Sequence, residues 1–209
     1  MLLLLFFGLV LVVSIPAVQT WFGSYATERI NKTFGTDIVV KKVGLQFNGD
    51  IELKNILIRD HKNDTLISIN ELNSSILSFT KINKNHLVFG DIDIYGLYFH
   101  IKTYPKDQLS NLDIFVKKFK KDKPKVRAPF ELSSYDLSVF DSYFKLTNYN
   151  KKDPRVLDFK QFNFKADNFL IKGPDVSANI KAMSFKDPRG IQLQNLQTQF
   201  TYTLNAMNF

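Results

Sequence analysis

Three segments of the chain share one unusual alternation of apolar and polar residues. They read IELKNILI from Ile51, IDIYGLYF from Ile92 and IQLQNLQT from Ile191. In each segment an Asn or Gly delays the third apolar residue by one position. The apolar residues therefore lie at offsets 0, 2 and 5, and in the first two segments also at offset 7. Such offsets form no stripe on a helix of about 3.6 residues per turn. The pattern therefore predicts β-strands that are each interrupted by one irregular residue.

The irregular residues are Asn55, Gly96 and Asn195. One extra residue in a strand is typical of a β-bulge, and Gly and Asn tolerate its backbone conformation best. With a bulge at each position, both halves of a strand direct their apolar side chains to one face of the sheet. The residues predicted on this face are Ile51, Leu53, Ile56, Ile58, Ile92, Ile94, Leu97, Phe99, Ile101, Phe162, Phe164, Ile191, Leu193 and Leu196.

The remaining strand positions and the turns indicate a sheet with two unlike faces. Polar residues such as Glu52, Asp93, His100 and Lys102 alternate with the apolar ones and are expected on a solvated face. Clusters of Asn, Asp, Gly and Pro, as in residues 60–64, divide the strands with short connections. Short connections favour hairpins, so we expect a mainly β fold that is largely antiparallel.

The N-terminus predicts a membrane anchor. Residues 2–18 contain no charged side chain, and the 21 residues from Leu2 to Phe22 would extend about 30 Å as a helix, the thickness of a bilayer core. Trp21, Phe22 and Tyr25 follow at the position where aromatic rings settle among lipid headgroups. A cleaved signal peptide is the alternative, but no small-residue cleavage site follows the apolar run.

Two helices are predicted outside the strands. Val18, Phe22, Ala26, Ile30 and Phe34 recur every four residues and continue the anchor as an amphipathic helix that ends at Gly35. A second, short amphipathic helix carries its apolar residues at i, i+3, i+4 and i+7, with Ser110 and Asp113 in a capping box. Its apolar residues are Leu112, Phe115, Val116 and Phe119.

These elements divide the chain into four parts. Residues 1–35 form the anchor and its helix, and residues 36–104 form a first β-unit. Residues 105–129 hold the short helix and a tether rich in Lys and Pro, and residues 130–209 form a second β-unit. The tether concentrates the basic charge, because residues 117–127 contain seven Lys or Arg and a single Asp. We interpret it as a solvated linker, with attraction to anionic lipid headgroups as the alternative, and not as a nucleic-acid surface.

The residue types needed for catalysis or metal binding are scattered. His61, His86 and His100 are far apart in sequence and are interpreted as surface histidines. Asp91 and Asp93 share the polar side of one strand, where paired acids are usually solubilising. The sequence also contains no phosphate-binding glycine loop, nucleophile elbow or zinc-ligand spacing. We therefore expect no enzymatic activity, no cofactor and no metal.

The order of these features resembles a known family. The segment from SIPAVQTWFGSYATERINKTFG through NGDIELKNILIRD, then FGDIDIYGLYFHIKTY, then NLDIFVKKF with its tether, is similar to the N-terminal region of the TamB (translocation and assembly module) family within the AsmA-like group. The resemblance implies one inner-membrane anchor, a long antiparallel β-groove curled like a taco, and a location mainly in the periplasm. It also implies that the chain is a fragment whose second β-unit continues further.

The resemblance implies a function as well. Members of the family are implicated in phospholipid transport to the outer membrane and in protein assembly there, with an outer-membrane barrel partner of the Omp85 type. That partner is contacted by a C-terminal region which the present sequence does not contain. On this basis the predicted apolar face would line a lipid groove. The alternative is an anchored structural or docking subunit of an envelope complex, whose apolar face is closed in a β-sandwich.

Overall fold

A computed structural model of the chain describes residues 15–46, 49–76, 86–118, 131–172, 175–203 and 207–208. These residues form a mainly β structure with two helices, as the sequence predicts. The helices are α1 (Pro16–Phe34) and α2 (Asn111–Lys117). The strands are β1 (Asp37–Leu45), β2 (Asp50–Arg59), β3 (Thr65–Ile76), β4 (His86–Thr103), β5 (Glu131–Asn148), β6 (Arg155–Lys172), β7 (Asp175–Lys186), β8 (Gln192–Leu193), β9 (Thr198–Tyr202) and β10 (Met207–Asn208).

All of these strands belong to one sheet. Its order is β1-β2-β3-β4-β5-β6-β7-β9-β10, with β8 paired to the end of β7. Every pair is antiparallel except β4 with β5, which is parallel. The exception follows from chain connectivity, since the connection that contains α2 is long enough to return the chain to the end of the sheet where β4 began. The strands of residues 36–104 and of 130–209 thus join in a single sheet through the β4–β5 pair.

A row of backbone irregularities crosses this sheet, and we call it the crease. It runs through Asn55 of β2, Asn70 of β3, Gly96 of β4, Asp141 of β5 and Gln161 of β6. Four of the five residues have positive φ, namely 52° at Asn55, 62° at Gly96, 46° at Asp141 and 50° at Gln161. Each strand therefore changes its alternation at the same level, and the apolar face continues on both sides of the crease.

The crease confirms the unusual backbone predicted at two positions and corrects its explanation. Asn55 and Gly96 have the predicted positive φ, but neither is an extra residue. The pairs that flank Asn55 are Lys54 with Glu71 and Ile56 with Ile69, so the register on the two sides of the crease is the same. Neighbouring strands change their alternation together and need no bulge. Between β5 and β6, by contrast, the register does shift at this level.

The third predicted bulge is wrong. Asn195 lies outside the strands, between β8 and β9, and it is not among the residues with positive φ. Only Gln192 and Leu193 of the segment IQLQNLQT form a strand before β9 begins at Thr198. The spacing of apolar residues was the same as in β2 and β4, but here the pairing with β7 is interrupted between Leu193 and Thr198.

Helix α1 packs along the outer edge of β1 and ends as predicted. Gly35 has φ 64° and its N–H bonds the carbonyl of Asn31, which closes the helix. Of the predicted apolar face, Val18 and Phe34 are half-buried and Ile30 is 38% exposed, while the side chains of Phe22 and Ala26 lie outside the described residues. Among the described residues no helix is long and apolar enough to cross a bilayer. Residues 2–14 of the predicted anchor lie outside the described residues.

Helix α2 has the predicted capping box. The Ser110 hydroxyl accepts a hydrogen bond from the Asp113 N–H, and the Asp113 carboxylate accepts one from the Ser110 N–H. The apolar stripe is only partly as expected, since Leu112 and Phe115 are half-buried but Val116 is 44% exposed. Phe119 and the rest of the Lys-rich tether lie outside the described residues.

Candidate functional site

The apolar face of the sheet is the most extended feature of the described structure. Residues directly opposite each other on neighbouring strands point to the same face. Three rows of such pairs cross the sheet. They contain Ile38, Ile58, Ile67, Phe99, Phe144 and Phe159; then Val43, Leu53, Leu72, Ile94, Val139, Phe164 and Met183; then Leu45, Ile51, Ser74, Ile92, Leu137, Ala166 and Ile180.

The remaining predicted residues of β2, β4 and β6 join the same face. Ile56 lies opposite Val40 and Ile69, and Leu97 continues that row on β4. Ile101 lies opposite Leu146, and Phe162 lies opposite Ser142. The structure thus brings together all predicted face residues from these three strands. The alternation of apolar and polar residues within each strand was enough to identify them, because residues that pair across neighbouring strands point to the same face of the sheet.

Phenylalanine rings form a continuous row at one end of this face. The ring centroids of Phe99 and Phe144 are 5.6 Å apart, and those of Phe144 and Phe159 are 5.9 Å apart. Phe159 then stacks on Phe185 of β7 at 3.7 Å. Four adjacent strands therefore contribute one ring each, which makes this end of the face both apolar and wide.

No second layer packs on the apolar face within the described residues. Apart from neighbours in the sheet, extensive contacts between described elements join only α1 with β1 and α2 with β4. Most residues of the face are accordingly half-buried, and Ile56, Ile92 and Val139 are among the few below a tenth exposed. A single apolar layer therefore remains open to an occupant.

The predicted residues of the third repeat lie at the margin of the face. Leu193 of β8 pairs with Phe185, and the N–H of Leu196 bonds the carbonyl of Met183. Both are half-buried, whereas Ile191 is 57% exposed and precedes β8. Leu193 thus continues the apolar surface beyond β7, Leu196 is bonded beside β7 through its backbone, and Ile191 does not take part in the surface.

The predicted membrane-interface residues are exposed on α1. Trp21 is 61% exposed and Tyr25 is 53% exposed. Their rings stack with centroids 6.1 Å apart. The side chain of Phe22 lies outside what the structure describes. The two rings thus form a small exposed aromatic patch on α1.

The opposite face of the sheet has a shallow depression at the crease. Its volume is about 400 Å³. Asn70 and Gly96 form its floor together with Asp141 and Gln161, and Tyr98 is one of the rings at its side. The depression is open, and its lining combines apolar surface from Leu97 and the Tyr98 and Tyr143 rings with a few hydrogen-bonding groups. Sequence reasoning did not find it, because Gln161 carries no residue-type signal for positive φ and a single Asp such as Asp141 carries only a weak one.

A buried polar cluster lies at the end of β4, where a solvated face was expected. His100 is only 4% exposed and Lys102 only 7%, so the interpretation of His100 as a surface histidine is wrong. Its Nδ1 lies 3.0 Å from the Tyr98 hydroxyl and its Nε2 lies 3.1 Å from the Thr147 hydroxyl. Burial, with a smaller contribution from the charge of Lys102, lowers the pKa of His100 to about 4. The ring is therefore neutral at neutral pH.

Asn111 at the start of α2 covers this part of β4. It is fully buried, and its side-chain oxygen accepts a hydrogen bond of 2.8 Å from the Lys102 N–H. Its amide donates to the His100 carbonyl at 3.2 Å and to Asp60 at 3.0 Å. Because β3 pairs with β4 only as far as Phe99, the Asn111 amide occupies the place of a missing strand. Lys102 also pairs with Asp64.

Asp60 connects the β2–β3 turn to the same cluster. Burial raises the pKa of Asp60, but hydrogen bonds from Tyr104 and Asn111 and from two backbone N–H groups outweigh burial and lower the pKa below its usual value. A charged Asp60 thus fixes the turn and α2 to the sheet. Within the described residues no group of three or more His, Cys, Asp or Glu side chains could hold a metal ion. The cluster has the properties of a structural junction.

The chain was compared with protein families and with curated proteins. No family model matches it, and no curated protein is significantly similar to it. The resemblance of its sequence pattern to the TamB family therefore has no support from these comparisons, and functional interpretation depends on the geometry of the sheet.

Proposed function

We propose that the protein is a membrane-anchored carrier that shields the acyl chains of phospholipids on the open apolar face of its sheet. The observation that supports this proposal is the continuous apolar surface from β1 to β7 without a second layer among the described elements. Seven strands spaced about 4.8 Å apart make a surface about 30 Å across. Apolar surface of this extent is costly in water and is suited to an apolar occupant.

A phospholipid is the occupant that fits both properties of the sheet. Its acyl chains can lie along the apolar rows while its headgroup stays in water beyond the edge of the sheet. No bond is made or broken, so the role requires no catalytic residue. The lack of a second layer favours this role over the closed sandwich of a docking subunit, because a sandwich buries such a face between two sheets.

The setting of the carrier forms part of the proposal. The uncharged run of residues 2–18 would anchor the chain in the inner membrane, with the sheet in the periplasm. Transport toward the outer membrane, assembly of proteins there and cooperation with a barrel partner are proposed from the resemblance of the sequence pattern alone.

The proposal is tested by placing a charge on the apolar face. Ile94 and Phe99 are half-buried on β4 and belong to two different apolar rows. The variants Ile94→Glu and Phe99→Asp are purified with mild detergent, and co-purified phospholipid is measured by mass spectrometry. Tyr95→Asp is the matched control, because Tyr95 lies next to Ile94 on the other face and is 41% exposed.

Each outcome decides between the two roles. On an open face the charge reaches water, so the variants should accumulate and lose bound lipid, whereas Tyr95→Asp should keep it. In a closed core an unpaired charge would cost several kcal/mol, comparable with the stability of a domain, and the variants would fail to accumulate. Normal accumulation with normal bound lipid would also contradict the carrier role.

A further inference from the structure

Helix α1 lies along the whole outer edge of β1 and is bonded to it at both ends. The Gln19 amide donates to the Leu45 carbonyl at 2.9 Å and accepts from the Leu45 N–H at 3.0 Å. Near the other end, the Asn31 amide donates to the Ile38 carbonyl at 2.8 Å and accepts from the Ile38 N–H at 2.9 Å. Two side-chain amides thus bond β1 as a neighbouring strand would.

These two attachments align the helix with the strand. The rise from Gln19 to Asn31 is about 18 Å along a helix, and the rise from Leu45 to Ile38 is about 23 Å along a strand. Between them the helix approaches β1 closely, since a Cβ at Gly23 would lie 2.2 Å from a methyl carbon of Val43. The axis of α1 therefore runs approximately parallel to the strands.

The opposite side of α1 carries aromatic and basic side chains. At 100° per residue, Tyr25 is opposite the centre of the stripe formed by Gln19, Gly23 and Asn31. Trp21, Arg29 and Lys32 flank Tyr25 on this outward side, and all of them are exposed. Exposed aromatic rings beside basic side chains are typical of helices that lie in the headgroup region of a membrane.

We propose that α1 lies flat in the membrane surface, with Trp21 and Tyr25 among the lipid headgroups, and holds β1 along the bilayer. The strands then run parallel to the membrane, and each further strand is about 4.8 Å more distant from it. This inference rests on the anchoring part of the proposed function and adds the orientation of the sheet.

A bilayer is the partner that fits this side of the helix. The uncharged run of residues 2–18 ends within the first turn of α1, three residues before Trp21, so the aromatic pair is close to the predicted anchor. Arg29 and the exposed Lys41 of the adjacent strand add positive charge for anionic headgroups, whereas Lys32 already pairs with Glu28 at 2.6 Å. An α1 that continued the anchor perpendicular to the membrane would instead carry Asn31 about 18 Å away from Gln19 along the membrane normal.

The natural sequence suits a direct test, because Trp21 is the single Trp and the chain has no Cys. The full chain is reconstituted in vesicles of phosphatidylethanolamine and phosphatidylglycerol that contain lipids brominated at known depths. Ser24→Cys and Thr33→Cys place an environment-sensitive fluorophore on exposed positions toward the two ends of α1, and Gln199→Cys places it on exposed β9 as the matched distant control.

The proposal expects Trp21 and both helix labels to be quenched at headgroup depth, with the Gln199 label unquenched. A Thr33 label as unquenched as the Gln199 label would mean a perpendicular helix and would overturn the proposal. So would an absence of quenching at Trp21. Polarised infrared absorption of oriented bilayers checks the strands independently, because strands parallel to the membrane and perpendicular strands give opposite dichroism. These readouts do not depend on lipid bound to the sheet. A failure of the carrier function can therefore be distinguished from a failure of the proposed orientation.

Discussion

The side-chain amide of Asn70 fills the space in front of Gly96 on the neighbouring strand. A Cβ at position 96 would lie 2.2 Å from Asn70 Nδ2 and 2.8 Å from Asn70 Cγ. Gly96 also has a φ of 62°, in the left-handed region that residues with a Cβ rarely adopt. The crease therefore excludes a larger residue here for two separate reasons, one steric and one conformational.

We predict that Gly96→Ala lowers the free energy of unfolding by about 2 kcal/mol or more, since the left-handed conformation alone costs roughly 1–2 kcal/mol. Gly96→Val should cost more, because a β-branched residue resists positive φ more strongly. Urea unfolding followed by circular dichroism measures the effect. Gly44→Ala is the control, as its Cβ would lie 3.5 Å from Glu52 Cβ, an ordinary contact.

A second substitution separates the two reasons. Asn70→Ala removes the amide that a Cβ at position 96 would meet and leaves the φ of position 96 unchanged. In the double variant Asn70→Ala, Gly96→Ala, the total loss of stability should be smaller than the sum of the two single losses. Additive losses would show that the contact between Asn70 and position 96 has no part in the effect.

Asn31 has a comparable role at the edge of the sheet. We predict that Asn31→Asp lowers the free energy of unfolding by about 1–3 kcal/mol, because Asp keeps an acceptor for the Ile38 N–H but loses the donor for the Ile38 carbonyl. Thr33→Ala, on an exposed position of the same helix turn, should change it by no more than about 0.5 kcal/mol.

The amides of Gln19 and Asn31 cover the edge of β1, and their removal should have an observable effect on the association of the protein. A strand edge without its cover can pair with another chain. The double variant Gln19→Ala, Asn31→Ala should therefore form dimers or larger species in light scattering of detergent-solubilised protein, whereas Thr33→Ala should match the unmodified chain. A double variant with unchanged mass would indicate that the bulk of α1, and not its amides, protects the edge.

Asn111 is the residue of α2 on which its attachment depends most. We predict that Asn111→Asp lowers the free energy of unfolding by about 3 kcal/mol, since it removes two donated hydrogen bonds and places a second carboxylate beside buried Asp60. Asp113→Ala removes only the exposed capping box and should cost about 1 kcal/mol. Equal losses in thermal unfolding of the two variants would contradict this explanation.

The sequence predicts those features of the fold that depend on local spacing. The offsets in β2 and β4 identify the apolar face and two of the left-handed positions, because Gly and Asn carry a conformational signal. Gln161 has the same backbone conformation without that signal and Asp141 has it with only a weak one, and both lie at the level where the neighbouring strands change their alternation. Asn195 has the signal but lies where the pairing with β7 is interrupted, and it does not adopt positive φ. Residue type indicates what a position tolerates, and partner strands decide what it adopts.

Features that depend on distant residues could not be predicted in this way. His100 is on the polar side of β4, and it is buried by residues distant in sequence, among them Thr147 of β5 and Asn111 of α2. The sequence pattern did not predict the contact of α1 with the sheet, where Gln19 and Asn31 bond β1 because an edge strand presents unpaired N–H and C=O groups. A polar partner satisfies such groups, and an apolar one would leave them unpaired.

The burial of His100 gives the protein a pH dependence that can be measured. Burial and the charge of Lys102 lower the pKa of His100 from 6.5 to about 4, so the folded protein binds this proton less readily than the unfolded chain. Between about pH 6.5 and 4 the unfolded chain binds more protons at this site, and stability decreases as the pH falls through this range. Below about pH 4 the contribution of His100 levels off, and above about pH 6.5 it is complete. We predict a loss of about 1–3 kcal/mol from this residue across the range, measured by urea unfolding at several pH values.

His100→Gln should be less stable at neutral pH, because its side chain cannot reproduce both ring hydrogen bonds, and it should lose less stability on acidification. The variant and the unmodified chain should therefore converge toward pH 4. If the difference between them stayed constant over this range, the proton uptake would have to be assigned to another group.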